Sequence, residues 1–368
     1  MKGEPEGVRD IQDDETLMDY YLDHRSIEPG TERAYQKSWR RLQDALDELG
    51  YEIDDIQRSH VEEILKLWEN DDKLSDKKID DYINNLNRMA DWCVTQANVA
   101  DHNPFKPYRS EYKTDGRNKT EKIEIPLEQL RELVWAFEKH RIEVFVFIII
   151  ILKTGLRHAE ALNLDLRDIN LNHPVSEKMP QPRQEVYNHP DSLYVDSDIS
   201  EGEVHNGEKR AHGNKKNSHR TIPIDDELKD LLVWWIKMLP PTVSDAKPLL
   251  RQLNDPEHRR PTNGFTKPHI TEVARDFGVN APDMKHFGFD AHWCRHWFST
   301  QLRSNIDESE VPVGTVKEYV QGLRGDADDD VIDTYTHDWS VSEGKKSYRE
   351  VYEDNIPQLL VKPDDEGQ

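Results

Sequence analysis

Glu143-Val-Phe-Val-Phe-Ile-Ile-Ile-Ile-Leu-Lys153 runs directly into Thr154-Gly155-Leu-Arg157-His-Ala-Glu160-Ala-Leu-Asn-Leu164. The first part is too long and too uniformly apolar for an edge strand, so it reads as a buried helix. Thr154-Gly155 ends it, since glycine readily adopts the left-handed conformation that closes a helix. Arg157 then stands at the start of the next helix, where backbone N–H groups favour an anion. A guanidinium there can hold two phosphate oxygens at once. Glu160, one turn on, can orient Arg157 or a neighbour. The plainer reading is an arginine capping a surface turn.

Outward from this stretch, Pro126-Leu-Glu-Gln-Leu opens a preceding helix, and a domain begins near Ile125. Leu193-Tyr-Val and Thr221-Ile-Pro-Ile read as strands. The polar stretch 172–213 shows little periodicity and reads as an insertion in a small antiparallel sheet. A helix over Asp225–Met238 is capped by Asp225 or Asp226. Further helices are expected over His292–Arg303, Val313–Leu323 and Tyr348–Leu360. Upstream, Thr31, Tyr35, Trp39, Leu42 and Leu46 recur at helical spacing, as do Val61, Ile64, Leu65 and Trp68. A third helix starts after the N-cap Ser75 and is stopped by Asn103-Pro104-Phe105. The division expected is a helical domain over 13–110, a polar linker over 111–124, an α+β domain over 125–360 and an acidic tail over 361–368.

Three more clusters carry chemistry. Lys215 lies in Gly-Asn-Lys215-Lys216-Asn-Ser-His-Arg220, a polar loop ahead of a strand. His292-Trp-Cys-Arg295-His296 places His292 and Arg295 at i, i+3, on one face of a helix, so one phosphate can touch both. Tyr335 stands in Asp333-Thr-Tyr335-Thr-His337. Two arginines, a lysine, a histidine and a tyrosine are the groups needed to break a phosphodiester without metal. The arginines neutralise the phosphate, the lysine protonates the leaving oxygen and the tyrosine attacks. Each has a blander reading: a core histidine beside Trp293 and Trp297, an exposed loop lysine, one tyrosine among 13. A metal site of His292, Cys294 and His296 lacks a spaced second pair of ligands.

As an ordered set, these motifs resemble the tyrosine recombinases, the phage-integrase family, over most of the chain. The resemblance implies a mainly α, SAM-like core-binding domain that ends in an Asn-Pro-Phe-like turn. It implies an α+β catalytic domain with a small antiparallel sheet, and the two domains clamp a duplex from opposite faces. It makes Tyr335 the nucleophile of a 3′-phosphotyrosine intermediate and Arg157 and Arg295 the phosphate clamp. It makes Lys215, with Lys216 as the alternative, the acid, and His292 a proton-transfer group. Asp326, in Leu323-Arg324-Gly325-Asp326, stands where most relatives carry a histidine that hydrogen-bonds the phosphate. An ionised carboxylate repels a phosphate unless a cation pairs it, so Asp326 is expected to orient Arg157 or Arg295, or Arg324 to add a donor. Arg33, Lys37, Arg40, Arg41, Lys77, Lys78 and Arg88 in the helical domain are candidate DNA contacts, alongside the plainer reading as solvated surface.

The implied partners are double-stranded DNA and further copies, four protomers on two paired DNA sites, with a monomer in free solution. No cofactor or metal is expected; there is no HExxH or paired-carboxylate signature. Two competing readings keep the fold and change the outcome: a type IB topoisomerase-like strand passage, and a catalytically inactive DNA-binding regulator. Composition sets the boundary conditions. The 368 residues include only two cysteines, Cys93 and Cys294, which excludes a disulfide framework and fits a reducing cytoplasm. No apolar run reaches the ~20 residues of a membrane span, and the first residues lack a secretory h-region. Net charge is −24, from 73 acidic against 49 Lys and Arg residues, an unusual balance for a DNA enzyme. A local basic groove on an acidic body, adapted to high salt as in salt-loving archaea, reconciles the two. The alternative is that the chain binds no nucleic acid.

Overall fold

The computed structural model describes residues 16–361 apart from 26, 28, 54–55, 99, 107, 109–122, 281–287, 310, 312–314 and 327–345. The chain forms two compact units, 1–119 and 120–368. Most of the expected linker, the acidic tail and Tyr335 lie outside the described residues.

Among its described residues the first unit forms four helices: α1 (Leu17–Asp23), α2 (Pro29–Leu49), α3 (Arg58–Glu69) and α4 (Asp76–Thr95). Ser75 caps α4 by accepting from the Lys78 N–H. The expected apolar stripes are the core: Tyr35, Trp39, Leu42 and Leu46 meet Val61, Ile64, Trp68, Ile83 and Leu86. Helix α1 was not anticipated. It is about two turns long, held by a reciprocal cap between Thr16 and Asp19, and it seals the bundle with Met18 and Tyr21. Asn103 closes the end of the bundle, donating to Asn87 and Asp91 and accepting from the Phe105 N–H.

The second unit begins with α5 (Leu127–His140), α6 (Ile142–Thr154) and the short α7 (His158–Asn163). Helix α6 is the axis of the core, with every residue from Glu143 to Thr154 buried. Its one cation, Lys153, is paired within 2.6 Å of both Asp225 and Glu227, and donates to the Pro357 carbonyl at 2.8 Å. Gly155 (φ +65°) ends α6, and a Cβ there would run into the Phe298 ring. Glycine is therefore required twice over, by backbone and by space.

A three-stranded antiparallel sheet follows, in the order β1 (Ile169–Asn170), β2 (Ser192–Val195), β5 (Arg220–Pro223). Between its strands lie α8 (Gln184–Tyr187) and a two-stranded hairpin of β3 (Val204–His205) and β4 (Glu208–Lys209). This polar stretch is ordered by ion pairs rather than an apolar stripe. Arg210 meets Asp165 at 2.6 Å, Arg183 meets Asp196 at 2.8 Å and Arg260 meets Glu208 at 3.0 Å. Among the described residues the remaining α-helices are α9 (Asp226–Met238), α10 (Asn263–Asp276), α11 (Ala291–Asn305), α12 (Val316–Arg324) and α13 (Tyr348–Asn355). Asp225 is the cap of α9, accepting from the Leu228 N–H. Helix α13 is shorter than expected. Pro357 cannot continue a helix, and the chain beyond it docks instead, the Leu359 and Leu360 N–H groups donating to Glu227.

Candidate active site

Arg157 occupies the N-cap position of α7, directed there by the left-handed turn at Gly155. Its N–H donates to Glu160 Oε2 at 2.8 Å and its Nη1 to Glu160 Oε1 at 2.6 Å. Nη2 donates to the Gly325 carbonyl at 3.2 Å and to Asp326. Arg295, on the buried face of α11, donates Nη1 to the Gly155 carbonyl at 2.5 Å. Its Nη2 donates to the Arg324 carbonyl at 2.8 Å and to Asp326 Oδ2 at 2.7 Å. The two guanidiniums thus arrive from different helices and meet on the two oxygens of one carboxylate. That is the arrangement a phosphate with two free oxygens would accept.

Glu160 holds the cluster from beneath. It is buried and receives Arg157, Arg220 (2.8 Å) and, at 3.9 Å, Arg295. Burial alone would raise its pKa, but Arg220, Arg157 and Arg295 outweigh this and bring it down to about 2. Arg220 is the residue that sequence reasoning missed as part of the site, taking it only as the first residue of a strand. It is buried, donates to the Leu323 carbonyl and the Ser218 carbonyl at 2.7 Å each, and so ties β5 to the end of α12. Its signal was an arginine opening an otherwise apolar strand, where burial demands a paired anion. Gly325 (φ +64°) lies against the same guanidinium, and a Cβ there would come within 2.6 Å of Arg220 Nη1.

Asp326 faces four cationic donors. Besides Arg157 and Arg295 it takes Arg324 at 3.2 Å and Lys215 at 3.9 Å. Burial raises its pKa, while Arg295, Arg157 and Arg324 lower it below the usual carboxylate range, so it is an anion at neutral pH. Arg295 is affected in the converse way: burial, Arg157 and Arg220 weaken its hold on its proton, while Glu160 and Asp326 strengthen it. Lys215 lies in the turn just before β5 with its side chain 57% exposed. Lys216 is the next residue of that turn and is exposed.

A pocket of about 930 Å³ opens over this cluster, lined by Arg157, Arg295, Arg324, Asp326, His292 and, from α10, Lys267. His292 is exposed at its rim, and its Nε2 lies 2.8 Å from Nε2 of His296. Cys294 points the other way into the core, where burial raises its pKa well above normal. The three-residue metal site of His292, Cys294 and His296 is therefore not assembled. His158, on the first turn of α7, also lines the pocket; burial, then His212 and Lys267, bring its pKa down to about 4. Five cations (Arg157, Arg220, Arg295, Arg324, Lys215) face two carboxylates here. An acidic chain thus contains a locally cationic site, as the sequence required for any phosphate chemistry.

The candidate DNA contacts of the first unit are at the surface. Arg33, Lys37 and Arg40 are exposed along one stripe of α2, and Lys77 and Arg88 are exposed three turns apart on α4. Arg41 is ion-paired to Asp71, and Lys78 sits 5.3 Å from the centre of the Tyr82 ring.

No family model matches the chain, and no curated protein does. Solved structures do. The Tn1549 transposon integrase in complex with a circular intermediate DNA superposes with a TM-score of 0.61 at 18% identity, over 87% of this chain and 94% of that one. A lambda integrase dimer bound to a COC′ core site gives 0.56 at 14% identity, over 89% of this chain and 98% of that one. A lambda integrase tetramer bound to a Holliday junction gives 0.55 at 14%, over 89% and 80%. The fold is that of the tyrosine recombinases: a helical unit followed by a mostly helical unit with a small antiparallel sheet. Among the described residues, no helix is long and apolar enough to cross a membrane.

Proposed function

We propose that this protein is a site-specific DNA recombinase. In this reading it cuts and rejoins duplex DNA in the cytoplasm through a 3′-phosphotyrosine, without metal or ATP. The observation that carries it is the convergence of Arg157 and Arg295 on the two oxygens of one carboxylate at the floor of a cationic pocket. With a scissile phosphate in place of that carboxylate, both guanidiniums bind its non-bridging oxygens and stabilise the extra charge of the transition state. The Tyr335 oxygen attacks phosphorus, the P–O5′ bond breaks, and Lys215 gives its proton to the departing 5′ oxygen. His292, at the pocket rim, takes up the proton that the Tyr335 hydroxyl releases as it attacks. The new phosphodiester to tyrosine keeps the energy of the broken bond, so a 5′-hydroxyl from a second strand can reverse the step. Recombination then takes four protomers on two paired sites. The likeness to solved structures of integrases on DNA, one of them a tetramer on a Holliday junction, supports DNA as the partner and the assembly of several copies.

A nicked suicide substrate tests the reading. Incubated with the protein in high KCl and EDTA, it is expected to yield a covalent protein–DNA band on a denaturing gel. Specific binding without any adduct would overturn the enzyme and leave the DNA-binding regulator, which the presence of Asp326 against both arginines specifically favours. High KCl belongs in the assay because the net charge of −24 is screened over ~3 Å at 1 M salt.

Asp326 also sets an expectation of its own. Because it is ionised and occupies the clamp, an entering phosphate must displace it. Asp326→Asn removes that competition, at the cost of the charge-assisted pairs with Arg157, Arg295 and Arg324, and should tighten DNA binding about tenfold. Fluorescence anisotropy at fixed salt reads the change. Weaker binding by the Asn variant would make Asp326 a positioner of the arginines rather than a competitor.

A further inference from the structure

On the side of the catalytic unit away from the pocket, three ligand-bearing side chains converge that the proposed chemistry does not use. His140 is the last residue of α5, and His269 and Glu272 sit one turn apart on α10. His140 Nε2 lies 3.1 Å from His269 Nδ1 and 3.8 Å from Glu272 Oε2, and His269 Nδ1 lies 4.0 Å from that same oxygen. Among the described residues this is one group of His, Cys, Asp or Glu whose three ligand atoms all lie within 4.8 Å of one another.

The triangle has the right size for a metal. The point equidistant from its corners is about 2.1 Å from each, the length of a zinc bond to nitrogen or carboxylate oxygen. Two imidazoles and one carboxylate are also a donor set that suits a first-row divalent ion and is too nitrogen-rich for magnesium or calcium. His140 stands at a helix C-terminus, where the backbone dipoles favour a cation. Phe265 packs edge-on against His269, restricting its ring. The side chains of His140, His269 and Glu272 are 27%, 22% and 49% exposed, so an ion can enter and keep a fourth, solvent ligand.

We propose that His140, His269 and Glu272 form a three-ligand site for a zinc-like divalent transition metal that clips α5 to α10. The clip has a place in the architecture. Helix α10 presents Lys267, Ile270 and Thr271 to the phosphate pocket, and His269 and Glu272 project from its opposite side. An ion on the outer side fixes the rotation and tilt of the helix that forms one wall of the pocket. The site stands on its own geometry and does not depend on the recombinase reading.

The test uses the full chain, stripped with chelator and dialysed. Titration with Zn²⁺ by calorimetry should show one saturable site, and Co²⁺ should give the strong visible absorption of a four-coordinate centre. His269→Gln and His140→Gln should each weaken uptake at least ~10-fold, since even the loss of a group behind a ligand costs 10–100-fold. Glu272→Gln, on a half-exposed side chain, keeps the test open should a histidine variant fold poorly. Zn²⁺ should also raise the melting temperature of the wild type in a concentration-dependent way. No saturable uptake by the wild type, or undiminished uptake by the three variants, would overturn the site; the latter would assign the metal to other histidines among the 16.

Discussion

Tyr335→Phe is expected to abolish the covalent protein–DNA band completely while leaving DNA affinity within a few-fold of wild type. The change removes one hydroxyl and keeps the ring, so packing has little reason to respond. Without the phenol oxygen no phosphotyrosine can form, and the arginine clamp alone still binds the phosphate. Three other tyrosines of the C-terminal segment are unsuited to the role. Tyr319 is fully buried and donates its hydroxyl to the Tyr348 carbonyl at 2.7 Å. Tyr352 is fully buried, donates to the Lys153 carbonyl at 2.8 Å, and burial raises its pKa well above normal. Tyr348 is buried against Tyr319, with stacked rings 5.6 Å apart. None of these three can reach a phosphate without dismantling the core. An adduct that persists in Tyr335→Phe would move the nucleophile to another tyrosine, with Tyr187, 58% exposed on the sheet insertion, the first to mutate next.

How much of this was legible in the sequence follows from which force orders each element. Helix α6 and the first-unit helices were plain because apolar burial writes a period into the chain. The ends of α4, α6 and α9 were plain because Ser75, Gly155 and Asp225 are chemically suited to caps. The stretch 172–213 was opaque for the opposite reason. Its order comes from pairs such as Arg183–Asp196 and Arg210–Asp165, which join residues 13 and 45 positions apart. Ion pairs have no periodicity to read. The candidate cluster was partly legible: Arg157, Arg295 and Asp326, each named from motifs, line one pocket, and Lys215 lies 3.9 Å from Asp326. Glu160, read as orienting Arg157 or a neighbour, does pair with Arg157 and Arg220; what no motif announced was Arg220, which joins β5 to α7 and α12. The same holds for His140, His269 and Glu272, whose association depends on two helices packing in a way that sequence spacing does not encode.

That buried layer makes Glu160 the position where a single substitution should do most harm to the fold of the second unit. Glu160→Ala is expected to lower stability by about 3–5 kcal/mol, the usual result of leaving buried charges unpaired. Here the stranded groups are Arg220, which is 1% exposed, and Arg295, which is 3% exposed. Glu160→Gln keeps the shape and one acceptor oxygen but not the charge, and should lose about 1–3 kcal/mol. The two variants also differ from wild type in pH dependence. In the folded protein the carboxyl titrates at about 2, against its ordinary value of 4.5. A depressed pKa stabilises the fold above the unfolded value, so this contribution is whole above about pH 5 and fades as pH falls toward 2. The wild type should therefore lose stability across that window more steeply than Glu160→Gln, as denaturant titrations between pH 5 and 3 will show. Equal slopes would mean that the arginines do not rely on Glu160. The same substitution should reach the chemistry, because a displacement of about 1 Å in a clamp residue can cost about 100-fold in rate. Measured well below the melting point, Glu160→Gln should slow adduct formation at saturating DNA with little change in affinity. Loss of affinity in proportion to rate would instead assign the residue to phosphate binding as a whole, not to the alignment of Arg157 and Arg295.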